Sequence, residues 1–389
     1  MTTTTPPYAT SHTPHSDFKP RYYILDGLRG VAAMLVIWYH FFEGFATSPT
    51  DQMMNHGYLA VDFFFVLSGF VIGYAYDNRW SEDRMTSGRF LIRRIIRLQP
   101  MVVLSVILGL IAYLFQGSVK WDGTPVPLHT ALLALLLGLF MIPVLSGTET
   151  DVRGNGEMFP LNGPSWSLFF EYIGSLLYAL ILHKLSNAAL RSVVILSGIG
   201  LAACALCNMS GAYHLGLGWS MADMGWLGGL LRLSFSFGMG LLLIRDFKPR
   251  RIRGAFWICS AIIAAIMACP YVGVNGLPSI ANGVYDTICT IVIFPAIVYV
   301  GACGITTDTF SDKICEFLGK MSYPVYIIHY PVMYLFYAWV WDNGITFAEA
   351  WPICAALFAG IIMMAWMALK WYDDPVRHYL SSRFTSRRS

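Results

Sequence analysis

Charged residues are scarce in this chain: Asp, Glu, Lys and Arg make up 13% of its 389 residues, whereas soluble domains carry about 25%. Hydrophobic residues make up 56%, and apolar runs of about 20 residues recur along nearly the whole length. This composition excludes a soluble globular protein and indicates a polytopic helical membrane protein. No internal repeat is evident, so the inverted-repeat pattern of many secondary transporters is missing.

Motifs of nucleotide and hydrolytic chemistry are also absent. The chain has no P-loop, HExxH, GxSxG or dinucleotide fingerprint. Its eight cysteines lie almost entirely in apolar runs, and the one CxxC pair, Cys204 and Cys207, lies mid-run. We interpret these as packed small residues and expect no metal site. We expect no cleaved signal peptide, because Asp26 and Arg29 lie within the first apolar run.

Eleven apolar runs are candidates for membrane crossing, and the positive-inside rule selects among them. The weakest run, 129–146, is short and is interrupted by Gly138 and Pro143. If this run is re-entrant or interfacial, ten helices cross and both termini are cytoplasmic. All but four of the 26 Lys and Arg residues then fall on the cytoplasmic side, the exceptions being Arg29, Lys120, Arg153 and Arg232.

The sequence therefore predicts an all-α polytopic protein of the inner or plasma membrane. It has about ten transmembrane helices, N-in and C-in, and one re-entrant or interfacial segment at 129–146. We divide the chain into a disordered cytoplasmic tail, a membrane domain and a basic cytoplasmic tail: 1–20, 21–378 and 379–389.

Arg29 and His40 lie eleven residues apart in the first apolar run. Eleven residues make three helical turns plus about 20°, so both side chains fall on one helix face, about 16 Å apart along it. Ionisable groups in a membrane helix usually face a bundle interior or a wet cavity. Glu43, one turn beyond His40, is within reach of its imidazole, the arrangement of a general base. The alternative is that both residues snorkel from an ordinary helix.

Two further segments carry ionisable groups. Asp62 begins the second run at a depth close to His40, and either caps that helix or faces the site. Arg93, Arg94 and Arg97 form a basic cluster on the cytoplasmic rim. Arginine forks suit phosphate, but anchoring by the positive-inside rule also predicts arginines there.

Later runs contain isolated polar and aromatic groups. Trp166 begins a run at the outer interface, and Glu171 within that run is a membrane carboxylate for which function is the default interpretation. Tyr326 and His329 belong to an aromatic stripe between two prolines, for which packing alone is the alternative. Arg232 lies mid-run without a partner in its own helix, so we expect it to face the polar cavity.

Taken in order, these segments resemble the acyltransferase-3 family of integral-membrane acyltransferases. The similarity extends over about residues 22–378 and departs where the tryptophan segment continues as FFEY, although Glu171 keeps its place. The matching segments are LDGLRGVAAMLVIWYH, VDFFFVLSGFVIG, FLIRRIIRLQP, SWSLFFE, LGKMSYPVYIIH and DDPVR.

The resemblance implies transfer of an acyl group, commonly acetyl from acetyl-CoA, to a hydroxyl of an extracytoplasmic carbohydrate or lipid-linked glycan. It makes the R-x10-H pair essential and assigns the CoA donor to the arginine cluster. His40, polarised by Glu43 or Asp62, would deprotonate the acceptor hydroxyl, or would form a covalent acyl-histidine. We expect acyl-CoA as the donor, the lipid bilayer as surroundings, no metal and no nucleic-acid partner. The assigned residues are, for catalysis, His40, Arg29, Glu43, Asp62 and Glu171; for the donor, Arg93, Arg94 and Arg97; and for the acceptor, Trp166, Arg232, Tyr326 and His329.

Two other classes of protein fit the same charges. A transporter or exporter of a solute or glycan intermediate would use the polar line as its path. A polytopic scaffold would use the charges only structurally. An enzyme would turn over the thioester of radiolabelled acetyl-CoA, whereas a transporter would show solute flux and leave the CoA ester intact.

Overall fold

The structure is a computed structural model that describes residues 21–82, 84–223, 225–273 and 276–385. The predicted tail at 1–20 lies outside the described residues. Within them the regular secondary structure is almost entirely helical, as predicted. The helices, in chain order, are α1 (Tyr23–Glu43), α2 (Ala60–Ser81), α3 (Ser87–Phe115), α4 (Leu128–Leu139), α5 (Ser165–Leu180), α6 (Asn187–Leu206), α7 (Gly225–Arg245), α8 (Ala255–Ala268), α9 (Ile280–Ile288), α10 (Phe294–Ala302), α11 (Thr309–Asn343), α12 (Phe347–Ala368) and α13 (Asp374–Phe384).

Short elements complete the architecture. The strands β1 (Ile252–Arg253) and β2 (Gly304–Ile305) pair in parallel. Two 3-10 turns flank α2 and α5, at His56–Leu59 and Leu182–Lys184. Two π-helical turns join consecutive helices, α9 to α10 and α12 to α13, at Cys289–Ile293 and Leu369–Asp373.

The described residues contain seven helical segments that are long and apolar enough to cross a bilayer. The 35-residue α11 and the shorter apolar helices pack among them. This is the all-α polytopic membrane protein predicted from composition. The predicted tail at 379–389 differs in one respect, because α13 continues to Phe384. The seven segments are Tyr23–Glu43, His56–Ser81, Ser87–Phe115, Asn187–Leu206, Gly225–Arg245, Ile280–Ala302 and Phe347–Phe384.

Helix α4 lies in the segment predicted not to cross. Its 12 residues span about 18 Å, less than the hydrocarbon core of about 30 Å. The carbonyl of Leu139, at its end, accepts a hydrogen bond from Gln99 Nε2 at 2.6 Å, near the middle of α3. The chain then turns back, and Val144 N donates to the Met158 carbonyl at 2.8 Å. Helix α4 therefore dips to the depth of Gln99 and returns, and we call residues 117–164 the outer loop.

Helices α1 and α11 form the most extensive helix pair of the molecule. Glycines allow the close approach: a Cβ at Gly30 would lie 2.3 Å from the Leu318 carbonyl oxygen, and one at Gly27 would lie 2.9 Å from Cys315 Cα. Small residues permit such backbone contacts between membrane helices. The face of α1 that carries Arg29 and His40 is therefore held directly against α11.

Candidate active site

His40 lies near the end of α1 with its imidazole held by a carboxylate. Its Nδ1 lies 2.7 Å from Glu43 Oε2, the contact that the spacing predicts. Tyr337 of α11 donates its hydroxyl to the same carboxylate oxygen at 2.8 Å. Because a carboxylate accepts, Nδ1 is the donor and Nε2 carries the lone pair. His40 thus has the geometry of a general base oriented by Glu43.

The side chains of His40 and Glu43 are partly exposed, at 14% and 38%. His329 and Tyr330 of α11 lie beside His40, with ring centroids 5.2 and 4.8 Å from that of its imidazole. We call this group of side chains the outer chamber; its residues are His40, Glu43, Glu157, His329, Tyr330 and Tyr337.

Glu157, a carboxylate of the outer loop, is a residue of the site that the sequence did not predict. It is 7% exposed and accepts hydrogen bonds from Tyr334, from Asn155 at 3.1 Å and from Tyr330 at 3.5 Å. Burial raises the pKa of Glu157 to about 7, although the Tyr334 bond and the charge of Arg153 lower it. Its place in the Gly/Pro-rich stretch NGEMFPLNGPSW was the only available signal, because its partners lie far away in sequence.

Arg153 of the outer loop packs against Tyr334 of α11. It is 1% exposed, and its guanidinium carbon lies 3.4 Å from the ring centroid of Tyr334 and 5.0 Å from that of Trp121. Its Nε donates to the Pro160 carbonyl at 2.8 Å, and its Nη1 donates to Gln116 Oε1 at 2.7 Å. Desolvated cation–π contacts contribute about 2 kcal/mol or more. The outer loop is therefore docked beside the outer chamber.

His329 lies in the outer chamber, whereas Tyr326 bonds α11 to α5. His329 is fully buried, and its Nδ1 lies 3.2 Å from the Val325 carbonyl. Because a carbonyl only accepts, that nitrogen carries the proton and Nε2 is an acceptor. This Nε2 has no hydrogen-bond partner among the described residues. Tyr326, one turn earlier, shares a hydrogen bond of 2.7 Å with Ser167 of α5.

Arg29, at the other end of the same face, is also held by α11. Its Nε donates to Ser322 Oγ at 2.8 Å and its Nη2 donates to the Gly319 carbonyl at 3.2 Å. Nη2 also lies 3.3 Å from Asp26 Oδ1. The guanidinium is thus turned toward the neighbouring helix, which simple snorkelling does not require.

Arg94 and Glu171 form an ion pair between α3 and α5. Arg94 Nε also donates to Ser175 Oγ at 3.1 Å, and Glu171 Oε1 accepts from Ser68 Oγ at 3.1 Å. Arg94 was predicted for donor binding and Glu171 for catalysis, and the two residues contact each other. The pair joins three helices, α2, α3 and α5.

Arg97 is the unmatched cation of this region. It has no hydrogen-bond or ion-pair partner among the residues that the structure describes. The positive charges of Arg29, Arg94 and Arg377 act on it, and so does the negative charge of Glu171. Arg97 is exposed, and Arg93 of the same cluster is partly exposed. We call this group of side chains the inner chamber; its residues are Arg29, Arg94, Arg97, Glu171 and Tyr323.

Arg232 and Asp62 are paired with each other. Both side chains are fully buried, with Arg232 Nε 3.0 Å from Asp62 Oδ1 and Nη2 2.7 Å from Oδ2. Arg232 Nη1 also donates to the Leu217 carbonyl at 2.7 Å, and its guanidinium carbon lies 5.2 Å from the Trp166 ring centroid. The expectation that Arg232 faces a cavity is wrong, because α2 supplies its partner. Asp62 contacts Arg232, and Glu43 is the carboxylate that contacts His40.

Other features lie apart from the two chambers. The eight cysteines are free, and no group of three or more His, Cys, Asp or Glu side chains in the described part of the chain is arranged to hold a metal ion. A cleft of about 460 Å³ opens beside Trp80, His183 and Arg245. None of the residues predicted to form the site lines that cleft.

Comparison with known proteins agrees with the family resemblance of the sequence. A family model described as an acyltransferase domain, Acyl_transf_3, matches residues 22–371. "Acyltransferase MdmB" of Streptomyces mycarofaciens is 23% identical over 370 residues, which cover 88% of this chain and 86% of that protein. "Protein 2 in picA locus" of Rhizobium radiobacter is 37% identical over 166 residues, 41% of this chain and 81% of that protein.

A shorter match reaches a named O-acetyltransferase. "Peptidoglycan O-acetyltransferase OatA" of Listeria monocytogenes is 34% identical over 92 residues, which cover 23% of this chain and 14% of that protein. No solved structure matches the chain significantly.

Proposed function

The chain belongs to the acyltransferase-3 family and is a membrane acyltransferase; from that premise we propose that it transfers an acyl group, in the first instance acetyl, from cytoplasmic acyl-CoA to a hydroxyl of an extracytoplasmic carbohydrate or lipid-linked glycan. The observation that carries the proposal is the arrangement along one contact between α1 and α11. A histidine–carboxylate pair, His40 with Glu43, lies at one end. At the other end, Arg97 of α3, which has no partner among the described residues, lies close enough to Arg29 for their charges to interact. The relative named as a peptidoglycan O-acetyltransferase supports an oxygen acceptor in the cell envelope.

The inner chamber suits the donor. Acyl-CoA carries phosphates, and an arginine without an internal partner offers its whole fork to them. Arg97 meets that condition, and Arg93 adds positive charge to the same helix. Arg94 is bonded to Glu171, so its contribution to an incoming anion is smaller. The nucleotide then stays on the cytoplasmic side while the thin pantetheine arm extends along the α1–α11 face toward His40.

The outer chamber suits the chemical step. His40 Nε2 takes the proton of the acceptor hydroxyl while the hydroxyl oxygen attacks the thioester carbonyl carbon. The carbon–sulfur bond breaks, and the CoA thiolate leaves with the proton that His40 had accepted. Glu43 stabilises the imidazolium between these two transfers, because its carboxylate is bonded to Nδ1. In the covalent alternative, Nε2 itself attacks the thioester carbonyl carbon, the carbon–sulfur bond breaks and the CoA thiolate leaves. The acceptor hydroxyl then attacks the acyl carbon, the carbon–nitrogen bond breaks, and the hydroxyl proton passes to the thiolate.

A turnover assay tests the proposal. The full-length protein is reconstituted in liposomes with radiolabelled acetyl-CoA and a panel of cell-envelope glycans. We expect release of CoA thiol together with label on a glycan hydroxyl, and rapid quenching followed by mass spectrometry shows whether His40 carries acetyl. Glycan or solute flux with intact acetyl-CoA would instead indicate a transporter. Placement in the inner membrane, with both termini cytoplasmic, is part of the proposal, and fractionation with cysteine labelling near Asn155 and Phe247 checks it.

A further inference from the structure

The junction between α12 and α13 brings two charged residues toward the inner chamber. The junction is the π-helical turn Leu369–Asp373, followed by the first turn of α13 with Pro375. Both the turn and α13 pack against α3, the helix that carries Arg97. Single π turns inside longer helices often occur at functional sites. Asp373 is the last residue of the turn, and Arg377 lies one helical turn later.

Asp373 has a carboxylate oxygen that the protein leaves unused. The residue is 1% exposed. One oxygen, Oδ2, accepts from Arg377 Nη1 at 3.1 Å, whereas Oδ1 is buried without a hydrogen-bond partner among the described residues. Burying an unsatisfied acceptor is unfavourable, and native proteins seldom keep one without a reason. An N–H or O–H group from outside the chain is the natural partner for Oδ1.

The surroundings of Asp373 indicate where that partner comes from. The charges of Asp373 and Arg97 act on each other, and both act on Tyr323 of α11. The Tyr323 hydroxyl is engaged, because it donates to the Leu98 carbonyl at 2.6 Å. The charge of Arg377 also acts on Arg97. Asp373 and Arg377 therefore extend the inner chamber by one acceptor oxygen and one cation. Arg377 is bonded to Asp373 through Nη1, and its side chain is 33% exposed, which leaves the rest of its fork accessible to an anion.

We propose that Asp373 and Arg377 form a second part of the donor site, in which Arg377 joins Arg97 in binding phosphate and Asp373 Oδ1 accepts a hydrogen bond from an N–H group of the donor. This inference rests on the proposed function, which makes acyl-CoA the donor. CoA has N–H groups of two kinds, the amides of the pantetheine arm and the amino group of adenine. Either kind satisfies the buried oxygen, and the adjacent phosphates satisfy the arginines.

The test measures the dissociation constant of CoA by titration calorimetry with the full-length protein in detergent. Asp373→Asn removes the anionic acceptor with little change in size, and Arg377→Gln removes the cation. We expect each to weaken CoA binding by about 5- to 50-fold while leaving the turnover rate at saturating donor near the wild-type value. Arg377→Lys should lie between, because lysine keeps the charge but not the fork.

Two matched controls lie on the same helix. Asp374→Asn makes the same charge change at the next, exposed residue, and Arg383→Gln removes an exposed arginine from the last turn. Both should bind CoA within about twofold of the wild type, because solvated charges contribute little. If Asp373→Asn does not fold, the Arg377→Gln and Arg377→Lys pair decides the question by the same measurement.

Fragments of the donor identify the N–H group. Pantetheine and adenosine 3′,5′-bisphosphate are titrated separately into the wild type and Asp373→Asn. Loss of pantetheine affinity assigns Oδ1 to an amide, and loss of bisphosphate affinity assigns it to adenine; both outcomes support the proposal. Unchanged CoA affinity in folded Asp373 and Arg377 variants would overturn it and assign the buried oxygen to an internal water. A wild-type protein that binds no CoA would overturn the proposed donor and this inference together.

Discussion

The outer and inner chambers both border the α1–α11 helix pair, and they differ in how their charges are balanced. In the outer chamber, the Glu43 carboxylate meets a neutral tyrosine hydroxyl and an imidazole. In the inner chamber, Arg94 meets the carboxylate of Glu171, while Arg97 forms no hydrogen bond or ion pair with the described residues. The Glu43 carboxylate accepts only from neutral donors, so the neighbouring imidazole of His40 can gain and lose a proton. Arg97 is not engaged in an ion pair with the described residues, so its guanidinium can bind an anionic ligand.

Replacing His40 should produce the largest effect on acyl transfer, and this effect should be confined to the outer chamber. We expect His40→Ala to reduce acyl transfer by about 10²–10⁴-fold, the usual contribution of a positioned base, with little change in CoA affinity. The measurement is the rate of CoA thiol release at saturating donor. His129→Ala, at an exposed histidine of α4, is the matched control. Near-normal turnover in a folded His40→Ala protein would end the assignment.

The buried ion pair beside the chambers should affect stability before it affects chemistry. Asp62→Leu leaves the Arg232 guanidinium buried without its partner, so we expect a loss of about 3–5 kcal/mol in unfolding free energy. Thermal unfolding in detergent, followed by tryptophan fluorescence, measures the change. The double variant Asp62→Leu with Arg232→Met should recover much of the loss. If the single variant keeps full stability, the pair has another role.

Replacing Arg97 should distinguish the two chambers, because it should weaken donor binding and leave the chemical step nearly unchanged. We expect Arg97→Gln to weaken acyl-CoA binding by about 1.5–3 kcal/mol, the contribution of a charge-assisted hydrogen bond, while the chemical step changes little. Arg93→Ala and Arg94→Ala should also weaken binding, with Arg94 the smaller effect because it is bonded to Glu171. Arg89→Gln, at an exposed position of the first turn of α3, is the control. Equal donor affinity in all variants would reduce the cluster to a membrane anchor.

Glu157 should give the smallest effect, and a pH-dependent one. Its pKa is raised by burial from 4.5 to about 7, so its neutral form is favoured in the folded protein. The associated stability is complete below the unfolded pKa and is lost as pH rises through about 7. Between pH 5.5 and 8.5 the wild type should lose about 2 kcal/mol that Glu157→Gln does not lose. A melting-temperature difference between the two proteins that does not change with pH would contradict this.

Local contacts could be predicted from the sequence because helical geometry is regular. The common face of Arg29 and His40 follows from residue spacing, and so does the reach from His40 to Glu43. The shortness of α4, 12 residues within the segment predicted not to cross, agrees with the interruption of that run by Gly138 and Pro143. Each of these predictions uses residues within one apolar run.

Contacts between distant segments could not be predicted. Asp62 and Arg232 are 170 positions apart, and nothing in either helix identifies the other as its partner. Glu157 lies in a loop without periodicity, so its position beside Tyr330 depends on how the outer loop folds back. Asp373 and Arg377 have helical spacing and sit in the recognised DDPVR segment, but only the packing of α13 against α3 relates them to Arg97.

The close contact of α1 with α11 has a last consequence, which concerns length. Gly30 lies against the backbone at Leu318, so the two helices have no side-chain layer there that could slide or compress. The interval of about 16 Å between Arg29 and His40 is then set by helical rise alone. For the proposed acyl-CoA donor, a thioester whose phosphates are bound at the inner chamber would have to present its carbonyl at that fixed distance. We therefore expect the helix pair to select donors by the length of their arm as well as by their charge.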